Sequence, residues 1–164
     1  MFISVAEMAT ENRVLPMKIS TLITEDSVFS QVNCNSKKSA LEKISLSAAK
    51  KLNLDHQVLF NELIAREKIG STAVGSGVAI PHIKIPSDLP ATGIFLQCQK
   101  GIDYDALDGK PVDILFAIFV PEDRCQEYLS ALASISAKLL DKTLLRQLRS
   151  ATDDNILFQY LQCN

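Results

Sequence analysis

The stretch GSTAVGSGVAIPHIK, residues Gly70–Lys84, decides how the rest of the chain is interpreted. It places three glycines, a short apolar run and a Pro-His pair within fifteen positions, and His82 is one of only two histidines in the chain. The run GVAI predicts a short buried strand that ends at Pro81, whose ring fixes the backbone just before the histidine. The sequence therefore predicts that a glycine-rich turn and a strand end present His82.

Helical patterns lie on both sides of this stretch and strands follow it. A period of 3.6 predicts a helix after Ser36 as N-cap and a second helix from Asp55 to Gly70. TGIFLQCQ (92–99) and PVDILFAIFV (111–120) are typical of strands, and the second is apolar nearly throughout, as a central strand covered on both faces should be. Three further helical segments are predicted over 126–142, 143–149 and 153–161. Helices, then strands, then helices indicate an α/β sandwich built on one sheet, which follows a loosely held leader over residues 1–17 and occupies residues 18–164.

The bulk composition narrows the functional classes. The 164 residues are 47% hydrophobic and 22% charged, with a net charge of −2, which gives no general attraction to nucleic acid or to an anionic membrane. The four cysteines have no metal-ligand spacing and are expected to be free thiols in a reducing compartment. No apolar run is long enough for a membrane span, and the first twenty residues lack a signal-peptide pattern. A cytoplasmic location is the expectation.

Two nucleotide-binding motifs can be tested against the glycine-rich stretch, and both fail. Gly70 and Gly75 have the spacing of a P-loop, but Ser76 stands where the lysine is required. Gly75 and Gly77 begin a dinucleotide fingerprint, but Ile80 stands at the third glycine position. No G-x-S-x-G elbow supports a serine nucleophile.

What remains is a histidine beside many potential anion donors. Imidazole is a nucleophile near neutral pH, and a glycine turn can aim backbone N–H groups at one oxyanion. Ser71 and Thr72 add hydroxyl donors, Gly75 and Gly77 add amides, and Arg66 adds a planar positive charge. This composition suits a phosphoryl group accepted on the histidine. A packed structural histidine and a helix-end charge pair of Arg66 with Glu67 are the alternatives, and His56, beside a helix cap, is interpreted as structural or solvated.

A family resemblance adds to this interpretation. LFNELIAREKIGSTAVGSGVAIPHIK (59–84) resembles the active-site signature of the fructose/mannitol-type enzyme IIA domains of the bacterial phosphotransferase system. CNSKKSALEKIS, DYDALDGKPVDILFAIFVPED and LLDKTLLRQLRSATDD resemble its nitrogen-regulatory branch. The resemblance implies that family's fold, a three-layer sandwich of a mixed sheet flanked by helices. It also implies that His82, the histidine of the I-P-H motif, accepts phosphate, and that Arg66, sixteen residues before it, matches the family's active-site arginine.

Two positions depart from the family pattern. Tyr128 stands where the family usually has a second histidine near the phosphate, and a tyrosine can donate one hydrogen bond but carries no positive charge. Ile83 stands where relatives mostly have glycine, and a β-branched residue is expected to narrow the approach of a partner. We therefore expect phosphorylated His82 to be stabilised differently in this chain.

The resemblance implies a phosphohistidine carrier that takes its phosphoryl group from a phosphocarrier protein of the HPr or NPr type, with neither metal nor cofactor. The nitrogen-regulatory branch implies regulation of target proteins, of the potassium-transport or sensor-kinase kind, according to phosphorylation state. Two alternatives stay open. One is a metabolic enzyme IIA that passes phosphate to a IIB component during fructose- or mannitol-type uptake. The other is a binding module that is never phosphorylated, which the departures from the family pattern at Tyr128 and Ile83 leave open.

Overall fold

A mixed β-sheet forms the middle layer of the protein, which a computed structural model describes for residues 16–164. Its strands are β1 (Val28–Val32), β2 (Ala73–Gly75), β3 (Val78–Ala79), β4 (His82–Ile85), β5 (Thr92–Ile102) and β6 (Val112–Pro121). The order is β1-β5-β6-β3-β2, and β4 also pairs with β6. The β1–β5, β3–β6 and β4–β6 pairs are parallel, whereas β5–β6 and β2–β3 are antiparallel.

Helices cover both faces of this sheet. On one face lie α2 (Lys37–Leu52) and α3 (His56–Ile69). On the other lie α1 (Ile19–Leu22), α4 (Cys125–Leu139), α5 (Lys142–Ser150) and α6 (Asp154–Gln162). Single 3₁₀ turns occupy Glu25–Ser27 and Glu122–Arg124. Each helical layer shares its own buried apolar cluster with the sheet, so the predicted three-layer α/β sandwich is confirmed.

The sequence signals for the two helices before the glycine-rich stretch are confirmed. The side chain of Ser36 accepts a hydrogen bond from the backbone N–H of Ser39 and begins α2. Asp55 accepts from the N–H groups of Gln57 and Val58 and begins α3, which ends at Gly70. Gly70 is the C-cap of α3, and its N–H donates to the carbonyl oxygen of Glu67, which fixes where α3 stops and where the side chains of its last turn stand.

Strand β6 is the centre of the sheet, as its continuous apolar sequence predicts. Alternate side chains enter opposite clusters: Ile114, Phe116, Ile118 and Val120 pack toward α4–α6, whereas Leu115, Ala117 and Phe119 pack toward α2 and α3. The period of two is therefore present, but both of its faces are buried.

Strands β3 and β4 form one line that is interrupted at Ile80 and Pro81. Val78 pairs with Ile114 and His82 pairs with Ile118, which is the same register offset against β6. Pro81 has no N–H to donate, but its carbonyl accepts from the N–H of Ile118 at 2.9 Å. The strand predicted to end at Pro81 therefore resumes at once, and His82 is the first residue of β4 rather than a residue of a loop.

The predicted leader, residues 1–17, lies almost wholly outside the described residues. Met17 is described, and its side chain is buried in the cluster on the α4–α6 side. In the part of the chain that the structure describes, no helix is both long and apolar enough to cross a membrane.

Candidate active site

The position of His82 fixes which of its ring nitrogens can react. Its Nδ1 lies 2.9 Å from the carbonyl oxygen of Ile80. A carbonyl oxygen only accepts hydrogen bonds, so Nδ1 carries the proton and the neutral ring keeps its lone pair on Nε2. The backbone just before the histidine therefore selects the tautomer in which Nε2 is the nucleophilic atom.

His82 lies in a pocket of about 670 Å³ between the two helical layers. Arg66 and Ile69, on the last turn of α3, line one side. Tyr128 and Leu129, on the first turns of α4, line the other. The rings of His82 and Tyr128 are 5.1 Å apart between centroids and tilted by 38°. The structure therefore brings three predicted site residues into one pocket: the candidate acceptor His82, Arg66, and Tyr128, which departs from the family pattern.

Burial keeps the reactive ring neutral. The pKa of His82 is lowered from 6.5 mainly by desolvation, with a further lowering by the Arg66 guanidinium, against opposing effects of the Ile80 carbonyl and Glu67. Arg66 donates one hydrogen bond to the carbonyl oxygen of Gly70 at 2.8 Å, which holds its guanidinium at the end of α3. A neutral nucleophile beside a fixed cation is the arrangement that accepting an anionic group requires.

Tyr128 presents a hydroxyl that the rest of the described chain leaves unpaired. Its side chain is 4% exposed, and its Oη is buried with no hydrogen-bond partner among residues 16–164. Desolvation raises the pKa of the phenol, so the hydroxyl keeps its proton. A buried hydroxyl without an acceptor, beside the ring of the candidate nucleophile, is available to donate to a group that arrives there.

Glu67, the residue after the arginine, is a buried carboxylate, and sequence reasoning did not predict its burial. Glu67 has a 5% exposed side chain and pairs with Lys37 at 2.8 Å, and the hydroxyl of Tyr104 donates to it at 3.0 Å. The Glu67 partner is therefore Lys37 on α2, not Arg66, and the alternative of a helix-end Arg66–Glu67 pair does not describe this site. Arg66 and Glu67 point to different surroundings because consecutive helical residues do not share a face.

The two predicted hydroxyl donors are already engaged within the protein. Thr72 is buried, and both its hydroxyl and its backbone N–H donate to the carboxylate of Glu67. The hydroxyl of Ser71 donates to the carbonyl oxygen of Tyr104 at 2.8 Å. Neither side chain lines the pocket beside His82. In this structure the two residues fasten the start of the glycine-rich stretch to α3 and to Tyr104.

The predicted glycine amides stand at the far end of the β3–β4 line. Gly75 and Gly77 have φ values of 101° and 79°, a region that side chains avoid, and they form the turn between β2 and β3. Gly77 lies against Arg149 and Asp113, and neither glycine lines the His82 pocket. Gly75 and Gly77 therefore allow the tight turn between β2 and β3, and the structure does not bring them to the histidine.

Two further sequence predictions concern Ile83 and His56. Ile83 pairs with Phe119 in extended backbone, and its side chain is 8% exposed in the cluster on the α2–α3 side. A β-branched residue suits this strand position, and Ile83 also lines the His82 pocket, so the expectation that it narrows the approach of a partner stays a prediction. His56 is exposed as the first residue of α3.

Among residues 16–164 no cluster of three or more histidine, cysteine or acidic side chains could hold a metal ion.

Comparisons with known proteins agree with this fold and this sequence signature. A model of the family described as "Phosphoenolpyruvate-dependent sugar phosphotransferase system, EIIA 2" matches residues 21–163. The nitrogen regulatory protein of Escherichia coli K12 is 44% identical over 151 residues, which cover 92% of this chain and 93% of that protein. The crystal structure of nitrogen regulatory protein IIA-Ntr from Neisseria meningitidis has a TM-score of 0.80 and 32% identity, covering 87% of this chain and 98% of that one. The crystal structure of IIA mannitol from Escherichia coli has a TM-score of 0.70 at 16% identity, covering 85% and 98%, and shows likeness of fold alone.

Proposed function

This chain belongs to the EIIA 2 family of the phosphoenolpyruvate-dependent sugar phosphotransferase system, and we propose that it carries its phosphoryl group on Nε2 of His82. As a component of that system the chain acts in phosphoryl transfer, with a phosphocarrier protein as the partner that the family implies. The observation that carries the residue assignment is the 2.9 Å contact between Nδ1 of His82 and the Ile80 carbonyl oxygen, because it leaves the lone pair on the outer nitrogen.

The transfer step needs no proton movement at His82. A bond forms between Nε2 and the phosphorus atom while the bond from phosphorus to the donor's histidine breaks, and the leaving imidazole takes that electron pair. In a loose transition state the protein's part is to position the groups and to stabilise charge on the equatorial oxygens. Arg66 supplies the positive charge and the hydroxyl of Tyr128 supplies one neutral donor. Ser71 and Thr72 act indirectly: their hydroxyls donate to the Tyr104 carbonyl oxygen and to the Glu67 carboxylate, and these hydrogen bonds hold the start of the glycine-rich stretch against α3.

The rim of the pocket supports docking of a protein donor. Ile69 is 84% exposed and Leu129 is 62% exposed, and they stand on opposite sides of His82. Exposed apolar side chains that flank a reactive group suit a protein partner better than a small polar one. Phosphorylation then adds roughly 1.5 to 2 negative charges between these apolar side chains. Any partner that uses this rim therefore distinguishes the two states.

We assign a regulatory output to this switch, since the relative that is 44% identical is named a nitrogen regulatory protein. Targets of the potassium-transport or sensor-kinase kind would bind one phosphorylation state of the His82 rim. Transfer of the phosphoryl group to a sugar-specific IIB component would instead assign the chain to sugar uptake.

The decisive experiment is intact mass after incubation with phosphoenolpyruvate, enzyme I and the phosphocarrier. We expect an acid-labile gain of one phosphoryl group that is absent from His82→Ala. His56→Ala is the matched control, because it removes the only other histidine and should still gain the group. A gain that survives in His82→Ala would overturn the residue assignment. No gain in the native chain, with the phosphocarrier itself loaded, would favour a binding module that is never phosphorylated.

A further inference from the structure

A second cleft lies at the opposite end of the β3–β4 line from His82. Its volume is about 920 Å³, and it runs between the start of β6 and helix α5. Gly77 lies on its wall, and His82 is five positions further along nearly extended chain, which corresponds to about 16 Å. This cleft and the His82 pocket have no lining residue in common, so an occupant of one does not cover the other.

The cleft concentrates positive charge in a chain whose net charge is −2. Lys142, Arg146 and Arg149 are spaced at i, i+4 and i+7 on α5, so they form one stripe along that helix. Lys110 lies in the cleft wall opposite the stripe, on the segment that leads into β6. The lining contains four basic side chains and a single acidic one, Asp113.

The basic side chains are not equivalent. Arg149 is held by Asp113, with two hydrogen bonds of 2.9 Å, and it also donates to the carbonyl oxygen of Ser76. Its charge is therefore compensated within the protein. Lys142 and Arg146 are exposed and form no ion pair with any residue that the structure describes. Lys110 is also exposed and forms no ion pair with a described residue, so these three cations form the uncompensated part of the cleft.

Apolar groups complete the lining. Pro111, Leu140 and Leu145 contribute carbon surface beside the basic stripe. The basic residues are spread over two turns of α5 and the facing segment at Lys110, so they line a broad wall rather than a compact cluster around a single phosphate. A broad basic wall next to apolar carbon complements a ligand with carboxylates along one side and apolar side chains along the other.

We propose that this cleft, bounded by Lys110, Pro111 and the outer face of α5, binds an acidic amphipathic segment of a partner protein. Carboxylates of that segment pair with Lys142 and Arg146, and its apolar side chains pack on Leu140 and Pro111. Binding at this cleft does not depend on the phosphorylation state of His82, because the phosphoryl group lies at the other end of the strand line and is screened beyond a Debye length of about 8 Å. The partner held here would therefore stay bound while the His82 rim changes state.

The test uses a fluorescein-labelled helical peptide that repeats glutamate at i, i+4 and i+7 with leucine at adjacent positions, and a matched peptide with every glutamate replaced by glutamine. Fluorescence anisotropy with the full chain should show that the glutamine peptide binds at least about tenfold more weakly. The double variant K142E/R146E should lose about tenfold or more, whereas K38E/K50E, an equal charge change at exposed positions on α2, should stay within about twofold.

Equal effects of the two double variants, or equal affinity of the two peptides, would overturn the proposal. So would tighter binding of labelled single-stranded oligothymidylate than of the glutamate peptide at the same salt, because the surface would then recognise polyanions in general. Titration of the phosphorylated chain should give the same peptide affinity as the unphosphorylated chain. Since the peptide arms use unphosphorylated protein, their outcome is independent of whether His82 is the phosphoryl acceptor.

Discussion

Replacing Tyr128 with phenylalanine should stabilise the resting protein and weaken its phosphorylated form. The substitution keeps the ring and removes only the buried hydroxyl, which has no hydrogen-bond partner among the described residues. An unsatisfied buried polar group costs about 1–3 kcal/mol. We therefore expect Tyr128→Phe to raise the free energy of unfolding of the unphosphorylated chain by about 1–2 kcal/mol.

The opposite sign is expected once His82 carries a phosphoryl group. The two rings are 5.1 Å apart between centroids, and we expect a phosphoryl group bound to the histidine to come within hydrogen-bonding reach of the tyrosine hydroxyl. A hydrogen bond to a charged acceptor contributes about 1.5–3 kcal/mol. Its loss should shift the equilibrium of phosphoryl transfer back toward the phosphocarrier by about 10- to 100-fold, since about 1.4 kcal/mol corresponds to a factor of ten.

Two assays check the two signs. Urea unfolding of the unphosphorylated chain gives the change in stability, and intact mass at fixed ratios of phosphorylated to free phosphocarrier gives the transfer equilibrium. Tyr160→Phe removes a hydroxyl from the partly exposed side chain of Tyr160 on α6 and should change neither quantity appreciably. If Tyr128→Phe lowers the stability of the resting chain, the hydroxyl contributes a favourable interaction there. If it leaves the transfer equilibrium unchanged, the hydroxyl does not contact the phosphoryl group. Either result refutes this reasoning.

Three further predictions concern the surroundings of the histidine. Arg66→Ala should slow phosphoryl acceptance by about 10²–10³, measured as the rate of mass gain, and change stability by less than about 1 kcal/mol. Glu67→Gln should lower the free energy of unfolding by about 1.5–3 kcal/mol because it removes the negative charge 2.8 Å from Lys37 and leaves exposed Asp105, at 3.8 Å, as the remaining carboxylate partner, whereas exposed Glu62→Gln should stay within about 0.5 kcal/mol by the same urea assay. Phosphoryl acceptance should stay level above pH 6.5 and fall as the pH drops through the lowered pKa of His82, since only the neutral ring is nucleophilic. Because the pKa of His82 is lower in the folded chain than in the unfolded chain, the unfolded chain binds the proton more strongly. This contribution to the free energy of unfolding is therefore at its full value above pH 6.5 and decreases as the pH falls from 6.5 through the lowered pKa of His82. A rate that rises on acidification would contradict the assignment.

The parts of the fold that the sequence predicts well are those determined by nearby residues. The caps at Ser36 and Asp55 act within three residues, and they set the start of α2 and α3. The apolar run of β6 needs only its own composition to indicate a strand buried on both faces. The spacing of Arg66 from His82 follows from the family signature, and the structure brings both side chains to one pocket.

The parts that sequence reasoning missed depend on partners that the tertiary fold supplies. Strand β4 exists because His82 resumes the register with Ile118 after the proline, and nothing in HIKI alone specifies that pairing. The hydroxyls of Ser71 and Thr72 looked like phosphate donors, but their partners are the Tyr104 carbonyl, more than thirty positions away, and the Glu67 carboxylate. A sequence gives the chemistry of a side chain and not the acceptor that tertiary packing offers it.

The tyrosine at position 128 has a physical rationale that combines the burial and the chemistry of this site. Its side chain is 4% exposed and packs in the apolar cluster on the α4 side of the sheet. A protonated histidine there would place a second cation beside Arg66 with little solvent, and desolvation disfavours such a charge. The phenol has a donor at that position without a buried charge, so we expect a phosphoryl group on His82 to meet one cation rather than two. If His82 is the acceptor, we expect its phosphorylated form to be held less tightly than it would be between two cations, which would favour passing the phosphoryl group on to a partner.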